Sequence, residues 1–526
     1  MPLTPQQIGG LLQQGFSALN QNKLAEAEEC CRRILTEAPK VHQAHFLVGL
    51  ISLEQSNLQQ ALKAFTSVVG LNDKNEAAWA HIAKIYSQTG HPEPANQALD
   101  RAVALGTENP TIQDVIGSVY TWLGHHPEAV TWYFRAFDAA PNNAGFGLNL
   151  ANGLIFVGDN DRAQKVIDQI LKTTPEHPQA HWILSTMRKA KDGAHAALME
   201  ELSQKHQERP RAVSSFCYAA GKEYEDLEEW DKAIAAFQQG ADNRRRIINY
   251  NEETDDAVFE ALQETFTEEW IEEPADGYPD SAPIFIVGQP RTGTTLIDRI
   301  ISSHSRVTSA GELQQVFLSL KRLSTGNTPN RISPELIREA GNFDPAALGE
   351  AYVTAAKSGL GPVDKFVDKM PVNFLYVPLI AKALPNAKIV HLVRNPMDAC
   401  FASFKQLFAE AYLHSYDQEE MARHFVRYHR LMNRWRALLG DRIIDVSYEE
   451  TVSDLEPNAR RLIDRLGLEW EPACLTFHEN TEAVSTASAV QVRQPAHTKS
   501  VGRWKRYETE LAPMRRIIED AGISVE

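Results

Sequence analysis

The strongest constraint in this chain is a period. Alanine recurs at Ala27, Ala61, Ala95, Ala129, Ala163 and Ala197, in steps of 34 residues. A second series at that spacing, Pro39, Asp73, Thr107, Pro141 and Pro175, places a helix-breaking or polar residue between units. A third, Gly49, Ala83, Gly117, Ala151 and Ser185, is small throughout. Small residues let the two helices of a hairpin approach closely, so each unit reads as helix–turn–helix. Such units stack into a solenoid with a concave face. Gly221-x-x-Tyr224 and Trp230-x-x-Ala233 indicate a further unit displaced by two residues, which puts an insertion in 188–212. Tyr120, Trp122, Trp132, Tyr133 and Phe134 read mostly as repeat core.

The pattern resembles the tetratricopeptide repeat in its length and its small-residue positions. An array of this kind serves either as a scaffold or homodimer platform or as a groove for a protein or peptide, and periodicity does not choose between them. Across all 526 residues, 43% hydrophobic and 23% charged content describes an ordinary globular chain of several domains. A net charge of −16 argues against a nucleic-acid partner but permits a local basic site. No apolar run approaches the ~20 residues of a membrane span. The stretch Met1–Gln7 shows no secretory leader. The five cysteines are irregularly spaced without a C-x-x-C pair, so a reducing cytoplasm is expected, with neither zinc nor disulfides.

Helical pattern continues through 255–269 and stops at Pro274-Ala275-Asp276-Gly277-Tyr278-Pro279. The character then changes. Pro283-Ile284-Phe285-Ile286-Val287-Gly288 reads as a buried strand, Lys388–Val393 as another and Ile443–Val446 as a third. Helical segments at 295–303, 372–384 and 417–438 separate them. This alternation implies a parallel sheet within a three-layer α/β domain. The predicted organisation is an α-solenoid over 1–245, a helical linker over 246–282 and an α/β domain over 283–526.

The first strand runs into Gly288-Gln289-Pro290-Arg291-Thr292-Gly293-Thr294-Thr295, which opens a helix. A glycine turn there aims backbone N–H groups and the positive helix end at an anion. The spacing is that of a P-loop, but Thr294 stands where a nucleoside-triphosphate loop carries lysine, and the cation is Arg291 instead. That suits an anion held by hydroxyls, amides and one arginine better than a magnesium-bound triphosphate.

The segment P-R-T-G-T-T-L after a strand resembles the 5′-phosphosulfate loop of sulfotransferases, whose co-substrate is 3′-phosphoadenosine 5′-phosphosulfate. The similarity covers roughly the α/β domain and looks closest to the tyrosylprotein-sulfotransferase-like branch, including bacterial proteins with N-terminal tetratricopeptide repeats. The resemblance implies that Arg291, Thr292, Gly293, Thr294 and Thr295 hold the 5′ end of the nucleotide. It makes Glu312, 21 residues after Arg291, the general base for an acceptor hydroxyl. His304 is the rival base. Lys369, in Asp368-Lys369-Met370-Pro371, would contact the transferring sulfuryl group, a role less suited to the nearby Lys365. Arg394, in Arg394-Asn395-Pro396-Met397-Asp398, would grip the 3′-phosphate. The family's serine eight residues after this arginine is replaced by Ala402, with Ser403 next to it as the candidate. Tyr448 matches a Tyr-Glu pair that borders the nucleotide. The segment 485–504 resembles the loop that folds over it, with Ser488 at the sulfuryl group and Arg503 at the 3′-phosphate.

Arg291, Lys369, Arg394 and Tyr448 each come directly after a proposed strand, the edge at which open parallel sheets bind ligands. The expected activity is therefore metal-free transfer of a sulfuryl group from 3′-phosphoadenosine 5′-phosphosulfate to an acceptor hydroxyl. The acceptor is a tyrosine of a protein or peptide recruited by the repeats, or else a glycan or small molecule. A P-loop kinase or NTPase, and a non-enzymatic repeat adaptor with a degenerate nucleotide fold, are the readings from other classes.

Overall fold

The computed structural model describes residues 3–326, 331–408, 410–486 and 489–526. The chain forms two compact units, Met1–Gly153 and Leu154–Glu526.

The first unit is a run of helical hairpins, among them His42–Glu54 with Leu58–Leu71 and Pro110–Trp122 with His126–Ala139. The periodic residues explain the packing. Ala27, Ala61, Ala95 and Ala129 are buried. Gly49 and Gly117 are the points of closest approach: a Cβ would lie 2.6 Å from the Phe65 ring at the first and 2.7 Å from the Tyr133 ring at the second. Pro39, Asp73 and Thr107 fall between hairpins. A further series with the same period is hidden by its changing residue types. His45 Nε2 donates to the Pro39 carbonyl at 2.8 Å, Trp79 Nε1 to that of Asp73 at 2.9 Å and Gln113 Nε2 to that of Thr107 at 3.0 Å. Each ties the connector to the helix that follows it. Of the aromatic residues read as core, Trp132 and Tyr133 are buried, whereas Trp122 and Phe134 are nearly half exposed.

In the second unit the hairpins continue through Asn160–Thr173, Pro178–Met187, Ala194–Lys205, Pro210–Asp226 and Trp230–Arg245. Ala163 keeps the buried position, but at the next step Ala196 is buried and Ala197 is exposed, so the alanine series slips by one residue. The displacement of the last unit lies largely within a helix. Pro210–Asp226 has 17 residues where Pro110–Trp122 has 13. Gly221 restores the hairpin contact, its Cβ position lying 2.7 Å from the Phe237 ring. Gly221→Ala is expected to overpack this contact and cost about 1–3 kcal/mol, read as a fall in thermal midpoint.

The α/β part holds a five-stranded parallel sheet. Its strands are β1 (Pro283–Gly288), β2 (Val307–Ser309), β3 (Lys365–Asp368), β4 (Lys388–Val393) and β5 (Ile443–Ser447), in the order β2-β3-β1-β4-β5. Central β1 registers Ile284 against Val367 of β3 and Ile286 against Val390 of β4. Its apolar residues divide between two cores, as burial on both faces of a parallel sheet requires. Ile284 and Ile286 pack with Ile297 and Ile300 of the helix Thr294–Ser302 and with Leu462 of Leu455–Arg465. Phe285 and Val287 join Tyr352, Phe425 and Trp435 on the opposite face. Helices on both faces of the sheet make three layers.

That second core continues into Phe216, Tyr218 and Phe237 of the last hairpins. Tyr218 donates its hydroxyl to the Phe404 carbonyl at 3.0 Å, and Arg245 grips Glu420 with two bonds of 2.9 Å. Within this unit the last repeats and the sheet therefore share one interior. Among the described residues no helix is long and apolar enough to cross a membrane.

Candidate active site

Because every strand of the sheet is parallel, the C-terminal ends of all five open on one edge. Arg291, Glu312, Lys369, Arg394 and Tyr448 stand one to three residues beyond β1, β2, β3, β4 and β5.

The loop after β1 is tightly formed. Thr292 Oγ1 donates to the Gln289 carbonyl at 2.7 Å. Arg291 adopts a left-handed φ of +63°, unusual for a side-chain-bearing residue. Gly293, at φ +102°, is the N-cap of Thr294–Ser302 and brings no capping side chain, which leaves the first-turn N–H groups available to an anion. A Cβ on Gly293 would meet the Tyr448 ring at 2.5 Å, so glycine is required twice over. Tyr448 fills the space between this turn and Arg394, whose guanidinium lies 4.6 Å from the centre of its ring. Tyr448 is thus a packing residue of the loop as well as its border.

Arg394 donates Nη1 to the Arg291 carbonyl at 2.8 Å and Nη2 to the Ser500 carbonyl at 2.7 Å. Among the described residues, its buried Nε has no partner, and neither amide atom of the buried Gln289 side chain has one. Burial, and then the neighbouring Arg394, lower the Arg291 pKa to about 10. Lys405 is lowered to about 8 by burial, with Arg503 and Arg291 pushing the same way and Glu225 opposing. These are the marks of cations gathered without enough counter-charge. In a protein of net charge −16 such a cluster is suited to an anion, and the polar atoms without a partner among the described residues suit a polar ligand. The nucleotide named by the resemblance meets both conditions.

The second cluster forms at β2 and β3. Lys369 donates Nζ to Glu312 Oε1, and its own backbone N–H to the Gly311 carbonyl at 2.8 Å. The lysine side chain is 1% exposed and the glutamate 37% exposed, so the carboxylate stands at the mouth and the ammonium beneath it. Ser309 Oγ donates to Asp298 Oδ2 at 3.0 Å and accepts from the Gly311 amide at 3.2 Å, tying this turn to the helix Thr294–Ser302. Burial raises Asp298 to about 6 and Asp368 to about 7, despite the lowering influence of Lys369.

The C-terminal segment crosses the loop. Gln491 accepts from Arg291 Nη2 at 3.0 Å, and Thr486 Oγ1 lies 3.4 Å from Thr295 Oγ1. Asp398 anchors the turn at 502–504, accepting from the Gly502 amide at 2.6 Å and the Trp504 amide at 3.0 Å. Ser488 lies outside the described residues. Arg503 Nε donates to Glu225 of the helix Pro210–Asp226 at 3.1 Å.

Three other candidates have structural partners. Ser403 Oγ donates to the Pro290 carbonyl at 3.2 Å and braces the loop from behind, while Ala402 is half-buried. His304 Nε2 donates to the Glu469 carbonyl at 2.8 Å, and its Nδ1 accepts from the Arg306 amide at 3.1 Å, which occupies both ring nitrogens. Lys365 donates to the Ser281 carbonyl at 2.8 Å.

Sequence reasoning missed Lys405, Gln491, Asp398 and Glu225. Asp398 had a signal, since it closes the Arg-Asn-Pro-Met-Asp run. It also missed a His–Asp grouping, because distant segments bring it together. Asp255, His414 and His424 place one ligating atom each within 4.8 Å of the others. However, the two imidazole rings stack 3.5 Å apart at 11°, and lone pairs lying in parallel planes do not converge on one ion.

Residues 283–472 match the sulfotransferase family, and residues 12–76 and 52–118 match tetratricopeptide repeats. The chain carries a sulfotransferase-family domain preceded by tetratricopeptide repeats.

Among its relatives, an uncharacterized protein of Aquifex aeolicus (strain VF5) is 29% identical over 405 residues, which is 75% of this chain and 52% of that one. The chain thus spans about half that relative's length. A putative protein-tyrosine sulfotransferase of Caenorhabditis briggsae is 26% identical over 230 residues, covering 42% of this chain and 80% of its own. The solved sulfotransferase domain from the curacin biosynthetic pathway is 17% identical, covering 48% of this chain and all of that one, with a TM-score of 0.35.

Proposed function

We propose that the chain is an enzyme that transfers a sulfuryl group from 3′-phosphoadenosine 5′-phosphosulfate to the hydroxyl of a protein or peptide tyrosine. The observation that carries this is the joining of a lysine-free phosphate loop to a Glu312–Lys369 pair along one sheet edge. Relatives named protein-tyrosine sulfotransferase support the choice of acceptor. Residues 1–245 would act as the recruiting array and 283–526 as the catalytic domain. All five cysteines are buried thiols, which suits a reducing compartment such as the cytoplasm.

The donor supplies a sulfuryl group activated by its phosphate leaving group. Arg291, Thr292, Gly293, Thr294 and Thr295 would hold its 5′ end through amides, hydroxyls and one guanidinium. Arg394 and Arg503 would hold the 3′-phosphate, with Ser403 fixing the loop from behind rather than reaching the ligand. Glu312 at the mouth takes the acceptor proton. Lys369 below it offers positive charge where negative charge grows. Ser488 keeps its proposed place at the sulfuryl group.

Calorimetry on the full chain tests the reading. 3′-Phosphoadenosine 5′-phosphate is expected to bind and ATP to bind more weakly. Tighter ATP binding, or no binding of either, overturns it.

Lys405 adds a pH signature. In the free protein its pKa is about 8, and a bound phosphate dianion raises it. Below that pH the lysine is charged with or without ligand, so affinity is flat. Above it, binding must take up a proton, and affinity falls by up to about tenfold per pH unit. Affinity independent of pH between about 7 and 9 would remove Lys405 from the site.

A further inference from the structure

Glu225 belongs to the last repeat hairpin, far in sequence from the sheet, yet its carboxylate is held by the catalytic domain. Lys405 Nζ donates to Oε1 at 3.0 Å and to Oε2 at 2.8 Å. Arg503 Nε donates to Oε1 at 3.1 Å, and the Tyr507 hydroxyl to the same oxygen at 3.0 Å. The side chain is 6% exposed. Burying a carboxylate is costly unless charged donors surround it, and here three donors do so. Burial acts to raise the Glu225 pKa, but Lys405 and Arg503 outweigh it, so the group stays ionised.

The cations it binds lead into the proposed nucleotide site. Arg394 donates to the Ser500 carbonyl, just before Arg503 in the chain, and Ser403, just before Lys405, donates to the Pro290 carbonyl beside Arg291. Arg503 and Arg291 both act to lower the Lys405 pKa. Only one edge of the Arg503 guanidinium is taken by Glu225, and its terminal nitrogens make no hydrogen bond with any described residue. A guanidinium fixed through Nε presents its two remaining nitrogens in a set direction, the geometry that grips a phosphate bidentately.

We propose that Glu225, carried by the repeats, is a positioning residue for the donor nucleotide, setting Arg503 and Lys405 so that they recognise the 3′-phosphate. The inference rests on the nucleotide reading given above. It makes the last hairpin part of the binding site and accounts for the shared interior of repeat and sheet in this unit. The carboxylate does not repel the phosphate outright, because Arg291, Arg394, Lys405 and Arg503 outnumber it.

The test is calorimetry on the full chain with two ligands, 3′-phosphoadenosine 5′-phosphate and adenosine 5′-phosphate, which lacks the 3′ group. The wild type should prefer the first. Glu225→Gln keeps the shape and removes the charge. It should weaken the bisphosphate about tenfold and leave adenosine 5′-phosphate unchanged, so that the preference ratio falls. Loss of packing alone would weaken both ligands in parallel, and that outcome overturns the proposal. So does an unchanged ratio, or tighter bisphosphate binding by the variant. Glu225→Asp, which keeps the charge but withdraws it by one methylene, should lower the ratio by less and serves if the glutamine variant unfolds. A wild type without any preference for the bisphosphate would instead refute the donor reading, and the role of Glu225 with it.

Discussion

Arg394→Ala should cost the nucleotide site a hundredfold or more in affinity, the largest binding effect expected of any single substitution in the chain. Three functions are lost together. The side chain ties the backbone of Arg291 to that of Ser500, so it holds the phosphate loop against the C-terminal segment. It lies over Tyr448, which in turn fills the space beside Gly293. Its buried Nε has no partner among the described residues and could serve a ligand. Truncating one side of a buried charged contact costs about 2–5 kcal/mol, and 3 kcal/mol already exceeds a hundredfold. Arg394→Lys should recover little, because an ammonium cannot reach two carbonyls and stack on a ring at once. Calorimetry with 3′-phosphoadenosine 5′-phosphate measures both variants, and thermal melting shows whether they fold. An Arg394→Ala variant that binds within threefold of wild type would remove this residue from the site. Ser403→Ala, behind the loop, should lose far less.

The contrast between Arg394 and Arg503 shows what the sequence could and could not convey. Arg394 comes directly after a strand whose apolar run is legible, so its place at the sheet edge is a consequence of parallel topology. The same logic places Arg291, Lys369 and Tyr448. It works less well at β2, whose three residues, Val307–Ser309, are too few to form a pattern. Glu312 is found by spacing and resemblance rather than by recognising the strand before it. Arg503 comes after no strand, and its position depends on Glu225, 278 residues away. No local pattern encodes a pairing of that span. The repeat period is legible because one packing contact recurs, as at Gly49, Gly117 and Gly221. It misleads at Ala197, where a shorter helix, Pro178–Met187, followed by a longer connector moves the buried position to Ala196 without changing the residue type. Regular contacts leave periodic signals, whereas a site assembled across segments leaves single residues.

The largest catalytic effect should come from Glu312→Gln, with turnover falling by about 10²–10⁴ while nucleotide affinity stays within a few-fold of wild type. The structure determines which substitution is informative. Lys369 is almost wholly buried and its ammonium bonds to Glu312, so Glu312→Ala would leave a buried cation without its partner. That variant would mix loss of the base with a disturbed lysine. Glutamine keeps an oxygen for the lysine to donate to, while losing the negative charge and with it the ability to accept a proton. Lys369→Ala makes the complementary case. It should also lower turnover, but by removing charge below the reacting group while Glu312 keeps its proton-accepting role. Single-turnover assays on both variants, with nucleotide affinity measured beside them, separate loss of chemistry from loss of binding. If Glu312→Gln retains full turnover, the base is another group. His304 is then a poor substitute, because both of its ring nitrogens are engaged by backbone away from the Glu312–Lys369 pair.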